Sequence, residues 1–136
     1  MPETMKFDLV SPERMLASVQ ANEVQIPGAD GDLTAMAGHA PLITSLRPGI
    51  VTAQTAQGEV KYAVTGGFAE ISAEGVTVMA ERALPRAELT NDVMRDWVAE
   101  ARKAHADAHH SVADDAAKLL ADMVAMGGHI GLDTGE

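Results

Sequence analysis

The N-terminal part of the chain consists of short runs in which apolar and polar residues alternate. Because successive side chains of a β-strand point to opposite faces, each run predicts a strand with one buried face. Residues 1–85 hold roughly seven or more such runs, and two packed sheets would bury their apolar faces, so a β-sandwich or flattened barrel is expected. The apolar members of the clearest runs are Phe7 and Leu9, Val24 and Ile26, and Val60, Tyr62 and Val64.

Two glycines mark hairpin turns between predicted strands. Gly58 follows a predicted strand at residues 49–55, and Gly75 follows one at residues 68–72. Each is in turn followed by another alternating run. Glycine adopts a positive φ without steric cost, so we expect both residues to close their turns in that conformation.

Beyond Pro85 the pattern becomes helical. Apolar residues recur three and four positions apart, which favours two amphipathic helices within residues 86–136. His109–Ser111 alone would connect them, so the helices are expected to fold back as an antiparallel hairpin. Burial of alanine contributes little hydrophobic free energy per residue, and the hairpin should therefore be less stable than the sandwich. The two stripes are Val93, Trp97, Ala101, Ala104 and Ala108, then Val112, Ala116, Leu119, Leu120 and Met123.

Capping signals set the expected helix boundaries. Thr90 or Asn91 suits the N-cap of the first helix. Ser111, with Asp114 three residues later, resembles a capping box at the start of the second. The Gly127–Gly128 pair is expected to end it.

Composition excludes several classes of function. The 136 residues include no cysteine, which removes disulfides and thiolate sites, and the net charge of −10 disfavours nucleic acid and anionic lipid as partners. Met1–Lys6 lacks the features of a signal peptide, and no segment has the roughly 20 apolar residues of a membrane helix. Residues 87–136 carry four basic and ten acidic side chains, so −6 of the charge lies there.

Two groups of side chains carry the donor atoms of metal sites. Asp30 and Asp32 flank a glycine as in a calcium loop, but an EF-hand begun at Asp30 would need glycine and glutamate where Ala35 and Pro41 stand. A turn with both carboxylates in water is preferred. His105 and His109, spaced i and i+4, could bind zinc, but a third ligand is missing and a solvated helix face is favoured. The sequence predicts no metal.

Catalytic and nucleotide sites find little support. His39 could be a general base, yet no nucleophile or orienting acid accompanies it in a known motif, so a histidine held in a turn is the preferred interpretation. The Gly66–Gly67 pair precedes a strand, unlike a phosphate loop. Asp92, Arg95 and Arg102 could meet a nucleotide, but surface pairs at i,i+3 and i,i+4 are the favoured interpretation on these residues alone.

Several motifs occur in an order that identifies a family resemblance. They are Gly28-x-x-Gly31-Asp32-Leu33, Gly38-His39-Ala40-Pro41-Leu42-Ile43-Thr44, Leu46-x-Pro48-Gly49, Gly66-Gly67-Phe68-Ala69-Glu70 and Val76-Thr77-Val78-Met79-Ala80. Followed by an alanine-rich helical pair, this order resembles the epsilon subunit of F-type rotary ATP synthases. The match extends over residues 5–126, and Gly-His-Ala-Pro-Leu at its distance before Pro-Gly is its most specific element.

The resemblance implies a ten-stranded β-sandwich followed by a C-terminal antiparallel two-helix hairpin. It also implies a non-catalytic rotor subunit at the foot of the central stalk, with no cofactor of its own. In such a subunit the sandwich binds the gamma subunit and the membrane c-ring, and the tail transiently meets the alpha/beta catalytic head. Proton-driven ring rotation then reaches ATP synthesis through gamma. The implied location is peripheral, on the cytoplasmic face of the bacterial inner membrane.

The resemblance also implies which residues face these partners. The residues at Gly31, Asp32 and Leu33 fall where the family meets the c-ring, and Asp32 is expected to pair with a cationic ring loop, a contact that sets register more than affinity. An adjacent turn at the rotor interface would follow. That turn comprises Gly38, His39, Ala40, Pro41 and Leu42.

The helical tail departs from the family pattern at its nucleotide motif. Nucleotide-binding members carry Ile/Leu-Asp-x-x-Arg-Ala on the first helix. Here Asp92 and Arg95 are kept, but Asn91 and Asp96 stand at the flanks, and Arg102 fits a further arginine. The second helix lacks the arginines that complete the site, so the resemblance implies only weak ATP contact.

The second helix also lacks the charge of an inhibitory tail. Inhibitory members extend a cationic second helix toward acidic loops of the head, whereas this one has Lys118 against Asp114, Asp115 and Asp122. Repulsion is expected, so the tail is predicted to inhibit weakly or not at all. The leading interpretation is a torque-transmitting subunit, and the alternative is a nucleotide-sensing module that inhibits hydrolysis through its tail. A small β-sandwich enzyme has no recognisable catalytic set.

Overall fold

A computed structural model describes residues 4–107 and 113–129 of the chain. The chain divides into two compact units, residues 1–86 and 87–136. Within the described residues the first unit holds ten strands, and the second holds two helices, which confirms the fold class expected from the sequence. The strands are β1 Met5–Val10, β2 Met15–Ala21, β3 Glu23–Gly28, β4 Gly31–Met36, β5 Leu42–Ser45, β6 Gly49–Thr55, β7 Gly58–Val64, β8 Gly67–Ile71, β9 Gly75–Ala80 and β10 Ala83–Pro85, and the helices are α1 Asn91–Asp107 and α2 Ala113–His129.

The strands form two five-stranded sheets. The first has the order β2-β1-β9-β8-β5, and the second has the order β10-β7-β6-β3-β4. β1 and β9 pair in parallel, while the other neighbouring strands in the described residues are antiparallel. The two inner faces share one hydrophobic core, as in a β-sandwich.

The core follows the alternation in the sequence. Phe7 and Leu9 of β1 and Val24 of β3 are fully buried, and Ile26 is nearly so, whereas Lys6 before Phe7 and Gln25 between Val24 and Ile26 are exposed. Phe7 also meets Tyr62 at a ring-centroid distance of 6.3 Å and an angle of 49°. The rest of the core is largely aliphatic, consistent with 3% aromatic residues in the chain.

β7 departs from the predicted alternation. Ala63 belongs to the outward-facing set, yet it is as fully buried as Val64 beside it. Its neighbours across the sheet explain this, because Ile50 on β6 and Leu84 on β10 lie directly opposite Ala63 on either side. A methyl group between two larger side chains is easily covered.

The two predicted glycine turns differ in their physical basis. Gly58 has a φ of 113°, which confirms the expected positive φ. For Gly75 the expectation is wrong, because its φ is not positive. Its requirement for glycine comes from close packing instead, since a Cβ built there would lie 2.5 Å from the carbonyl oxygen of Lys6.

α1 begins as its capping residues indicate, but its buried stripe is shifted. The Val93 amide donates to Thr90 Oγ1 at 3.3 Å, so Thr90 is the N-cap.

The buried residues of α1 are Met94, Trp97, Val98 and Ala101. The predicted stripe is therefore wrong at Ala104, which is exposed, because the bulky side chains at 94 and 98 turn the buried face by about one residue. Ala108 lies outside the described residues.

α2 contacts α1 and runs further than predicted. The helix continues through Gly127 to His129, so the expectation that the glycine pair ends it is wrong. Glycine ends a helix when it takes a left-handed φ, and Gly127 keeps a helical backbone. Ser111 and Val112 lie outside the described residues. In the described part of the chain, no helix has the length and apolar character required to span a bilayer.

We expect Phe7→Ala to lower the free energy of unfolding by about 3–5 kcal/mol, because it leaves a cavity between the sheets. Urea denaturation of the full chain measures the change. Phe68→Ala is the matched control, since Phe68 is 44% exposed, and it should cost under about 1 kcal/mol. Equal losses in the two variants would contradict the assignment of Phe7 to the core.

A pH-dependent contact links β6 to β7. Gln54 Nε2 donates to Glu59 Oε2 at 2.7 Å, and Lys61 Nζ lies 3.4 Å from Glu59 Oε1. The Gln54 hydrogen bond, then Lys61, lowers the pKa of Glu59 below its ordinary value. Because the folded-state pKa is the lower one, the stabilisation is present above the unfolded pKa and is lost as pH falls through the folded pKa.

Replacing the amide donor tests this contact. Gln54→Leu should raise the pKa of Glu59 toward its ordinary value, and NMR titration of the Glu59 carboxyl carbon measures it. Lys61→Met should also raise it, because it removes a hydrogen bond and a positive charge beside the carboxylate. An unchanged Glu59 titration in Gln54→Leu would count against the hydrogen bond as the main cause.

Candidate protein interfaces

The turn between β3 and β4 lies at one end of the second sheet. Gly28 and Gly31 oppose each other across it. Gly31 and Asp32 are exposed, whereas Leu33 is half-buried and packs against the core. Leu33 therefore anchors the strand, and Gly31 and Asp32 are accessible to another molecule.

Asp32 has a cationic partner within the chain. Arg47 Nη2 donates to Asp32 Oδ1, and Arg47 Nη1 donates to the Gly28 carbonyl oxygen at 2.5 Å. Both turn carboxylates are exposed to water, as expected, but Asp32 also pairs with Arg47. The cause is long-range: the chain leaves β5 beside the β3–β4 turn and so brings Arg47 back to it.

The loop after β4 holds the second group of predicted interface residues. The Gly38 amide donates to the Ala73 carbonyl at 3.0 Å, which fastens the loop to the turn between β8 and β9. His39 Nδ1 lies 2.7 Å from the Ala40 carbonyl oxygen. Since a carbonyl oxygen only accepts, Nδ1 carries the proton, and the ring stabilises the loop. Ala40, Pro41 and Leu42 are exposed.

The structure does not bring these two groups together. β4, with its six residues, separates them. Asp32 lies near the start of β4, and Gly38 lies in the turn after Met36, which is about 13 Å from Asp32 at about 3.3 Å per residue. They therefore belong to opposite ends of β4, and a partner at one end is not automatically a partner at the other.

An exposed apolar surface crosses the outward face of the first sheet. Val10, Met79 and Phe68 are neighbours in register across β1, β9 and β8. Along each strand they alternate with a buried residue: Leu9, Val78 and Ala69.

The surface continues onto the two edge strands of the sheet. Phe68 is 44% exposed, and Ile43, which lies diagonally beside it on β5, is 70% exposed. Met15 opposite Val10 extends the surface onto β2. We call these residues the outer row: Met15, Val10, Met79, Phe68 and Ile43.

Sequence reasoning missed the outer row. A signal was present, because several strands carry apolar residues in adjacent positions, such as Leu42–Ile43 and Val78–Met79. A strand that is apolar on both faces needs a cover on each. Which strands line up was not visible, so their outward residues could not be joined into one surface.

The three candidate nucleotide residues of α1 are placed as surface residues. Asp92 Oδ1 and Arg95 Nη1 are 3.1 Å apart at i and i+3, and the Asp92 side chain is 89% exposed. Arg102 lies ten residues beyond Asp92, or about 15 Å along the helix. The structure thus brings Asp92 and Arg95 together and leaves Arg102 apart. No observation in the described residues favours nucleotide recognition over the surface pair.

Candidate metal ligands are not assembled in the described part of the chain. There, no three His, Asp or Glu side chains are grouped to hold a metal ion. His109 lies outside the described residues, and so does the side chain of His105.

Comparison with known proteins decides the family. The family model described as ATP synthase, Delta/Epsilon chain, beta-sandwich domain matches residues 4–86. The chain is also 65% identical over 132 residues to the ATP synthase epsilon chain of Rhodobacter capsulatus, covering 97% of this chain and 100% of the relative. This chain belongs to the ATP synthase epsilon-chain family. The epsilon chain of Paracoccus denitrificans is 56% identical over 140 residues, covering 98% of this chain and 95% of the relative.

Solved structures share the epsilon-chain fold at lower identity. A chain in a Euglena gracilis mitochondrial ATP synthase structure, described as OSCP/F1/c-ring, aligns with a TM-score of 0.71 and 20% identity, covering 96% of this chain and 83% of that one. A chain in a Tetrahymena thermophila central stalk and c-ring structure aligns at 0.52 and 15%, covering 63% and 69%. At these identities the likeness supports the fold alone. The family resemblance drawn from the motifs is confirmed by the relatives.

Proposed function

We propose that this epsilon chain is a non-catalytic rotor subunit that couples proton-driven rotation of the c-ring to ATP synthesis through the gamma subunit. Family membership supports the complex, since whole-length relatives are ATP synthase epsilon chains. The observation that carries the proposal is the outer row, a surface suited to a partner protein. The chain is then peripheral, held by its complex on the cytoplasmic face of the bacterial inner membrane.

The outer row is the surface for the gamma subunit in this proposal. Apolar side chains with high exposure, such as Ile43 at 70% and Met15 at 59%, are costly in water and mark interaction sites when they are contiguous. Asp8, Thr77 and Glu70 lie one step along the same face and supply a polar border. An apolar centre with a polar border is the usual anatomy of a protein interface. The exposed loop from Gly38 to Leu42 leads directly into β5 and extends this surface.

The β3–β4 turn is the surface for the c-ring. Gly31 and Asp32 are exposed there, at the end of the sheet, with Leu33 as the anchor. The turn is fastened to β5, because the Ala29 amide donates to the Ser45 carbonyl at 2.8 Å. A force applied at the turn therefore reaches β5 and the outer row through a hydrogen-bonded sheet. This is the mechanical property that a torque-transmitting subunit requires.

The helical tail is proposed to meet the alpha/beta head transiently and to inhibit hydrolysis weakly or not at all. Lys118 Nζ of α2 is 2.6 Å from Asp122 Oδ2, so this cation is already paired within the helix. With Asp114 and Asp115 on the same helix, the charge of α2 is negative. A negative helix gains no attraction from acidic loops of the head.

Aspartate substitution tests the outer row. We expect Phe68→Asp to weaken binding to the gamma subunit by roughly thirtyfold, because it places a charge in the apolar centre of the contact. Titration of gamma, assembled with the catalytic head, against labelled epsilon chain measures the affinity. Met36→Asp is the matched control: Met36 is 53% exposed but lies on β4 of the other sheet, and its variant should bind as the wild type does. Equal weakening by both would contradict the surface, and no binding by the wild-type chain would overturn the proposed function.

Removal of the tail tests its regulatory role. ATP hydrolysis by the assembled enzyme should change by less than about twofold when residues 87–136 are deleted, because the tail supplies little inhibition. Reversing charge on α2 by Asp114→Lys, Asp115→Lys and Asp122→Lys together should make hydrolysis slower. Several-fold activation on deletion would instead support the inhibitory module.

A further inference from the structure

The β3–β4 turn is fastened to the β5–β6 connection by main-chain hydrogen bonds. The Arg47 amide donates to the Pro27 carbonyl at 3.0 Å, and the Ala29 amide donates to the Ser45 carbonyl at 2.8 Å. Gly28 and Leu46 form an isolated antiparallel bridge between these two bonds. The connection therefore runs alongside the arm of the turn that enters from β3.

The Arg47 guanidinium adds a contact to the other arm. Its Nη1 donates to the Gly28 carbonyl before the turn, and its Nη2 donates to Asp32 Oδ1 after it. The rigid, planar guanidinium thus bonds to one residue before the turn and to one residue after it. A fork with fixed donor directions can hold two acceptors at once, which a lysine ammonium on a flexible stem does poorly.

The burial of the pair is strongly asymmetric. The Arg47 side chain is 29% exposed, whereas the Asp32 side chain is 77% exposed. A fully exposed ion pair would contribute little to stability. A half-buried guanidinium with two acceptors is already held in place, so it loses less side-chain entropy when it forms the pair. Close packing leaves the turn little alternative, since a Cβ at Gly28 would lie 2.6 Å from the Gly31 carbonyl oxygen.

We infer that Arg47 is a positioning residue for the ring-facing turn, and that the turn presents Asp32 to the ring as one half of an ion pair, not as a free carboxylate. This inference rests on the proposed function, in which Gly31 and Asp32 meet the c-ring. Arg47 donates to Oδ1, so Oδ2 keeps more of its accepting capacity for a donor of the ring. The neutral pair also reduces long-range attraction, so that shape and hydrogen bonding decide docking.

Variants at Arg47 separate the effect of its two fixed hydrogen-bond donors from the effect of its positive charge. Arg47→Met removes both donors and keeps the apolar stem, whereas Arg47→Lys keeps the charge and loses the fork. Lys61→Met is the matched control, because it removes a cation from an exposed pair with Glu59 on β7. Asp32→Asn provides a second approach, since it keeps an acceptor oxygen and removes the negative charge.

Two measurements are made on each full-length variant. Amide hydrogen exchange of the free chain follows Ala29 and Arg47, with Asn22, whose amide donates to Gln54 near the start of β3, as the internal reference. Rebinding to epsilon-depleted complex with its ring gives the concentration for half-maximal recovery of proton-driven ATP synthesis. Arg47→Met should speed exchange at Ala29 and at the amide of position 47 and raise the half-maximal concentration, each by about tenfold. Arg47→Lys should recover less than half of either effect, and Asp32→Asn should raise the half-maximal concentration less than Arg47→Met.

The outcomes distinguish this inference from the proposed function. Faster exchange at Ala29 with unchanged Asn22, together with weaker rebinding, supports it. Unchanged exchange in Arg47→Met overturns it, as does full recovery in Arg47→Lys. Faster exchange with wild-type rebinding also overturns the positioning role and leaves the proposed function intact. Failure of the wild-type chain to rebind removes the proposed function and this inference with it.

Discussion

Closure of two sheets over an aliphatic core is the constraint on which the remaining features depend. With 3% aromatic residues, the sandwich has few large side chains, and fully buried alanines such as Ala35, Ala53 and Ala69 take up much of the inner faces. Small side chains bring the sheets close, so every strand must keep its register to fill the space between them. The positions of the turns and edges then follow from the register of the strands.

The fixed register has different effects on the two faces of the first sheet. Inward residues such as Leu9 and Val78 fill the core, while their sequence neighbours Val10 and Met79 are brought into one line on the outside. A sheet that is apolar on both faces is stable in isolation only at a cost, because one face stays in water. In an assembly that cost is recovered on the partner's surface.

Local patterns were enough to predict strands and helices, but not their contacts. The alternation of Phe7 with Leu9 has a period of two whatever the tertiary structure, and so it was informative from sequence. The pairing of Arg47 with Asp32 depends on where β5 returns, which no local pattern contains. Glycine was the least reliable guide to local structure, because its role differs from one position to the next. Gly58 has a positive φ, Gly75 lies too close to the backbone of a neighbouring strand for a side chain, and Gly127 continues a helix. The family resemblance supplied strand number because motif order, unlike periodicity, is specific to one topology.

The parallel pairing of β1 with β9 has a consequence for biosynthesis. β1 emerges from the ribosome well before its second neighbour in the sheet, which begins at Gly75. Contacts between such distant segments form slowly, because a long loop must close before they are made. Val10 and Met79 come from these two strands, so the outer row does not exist until nearly the whole sandwich unit has been synthesised and closed. A nascent chain that ends before β9 therefore lacks this surface, and recognition through it would select chains whose sandwich is complete.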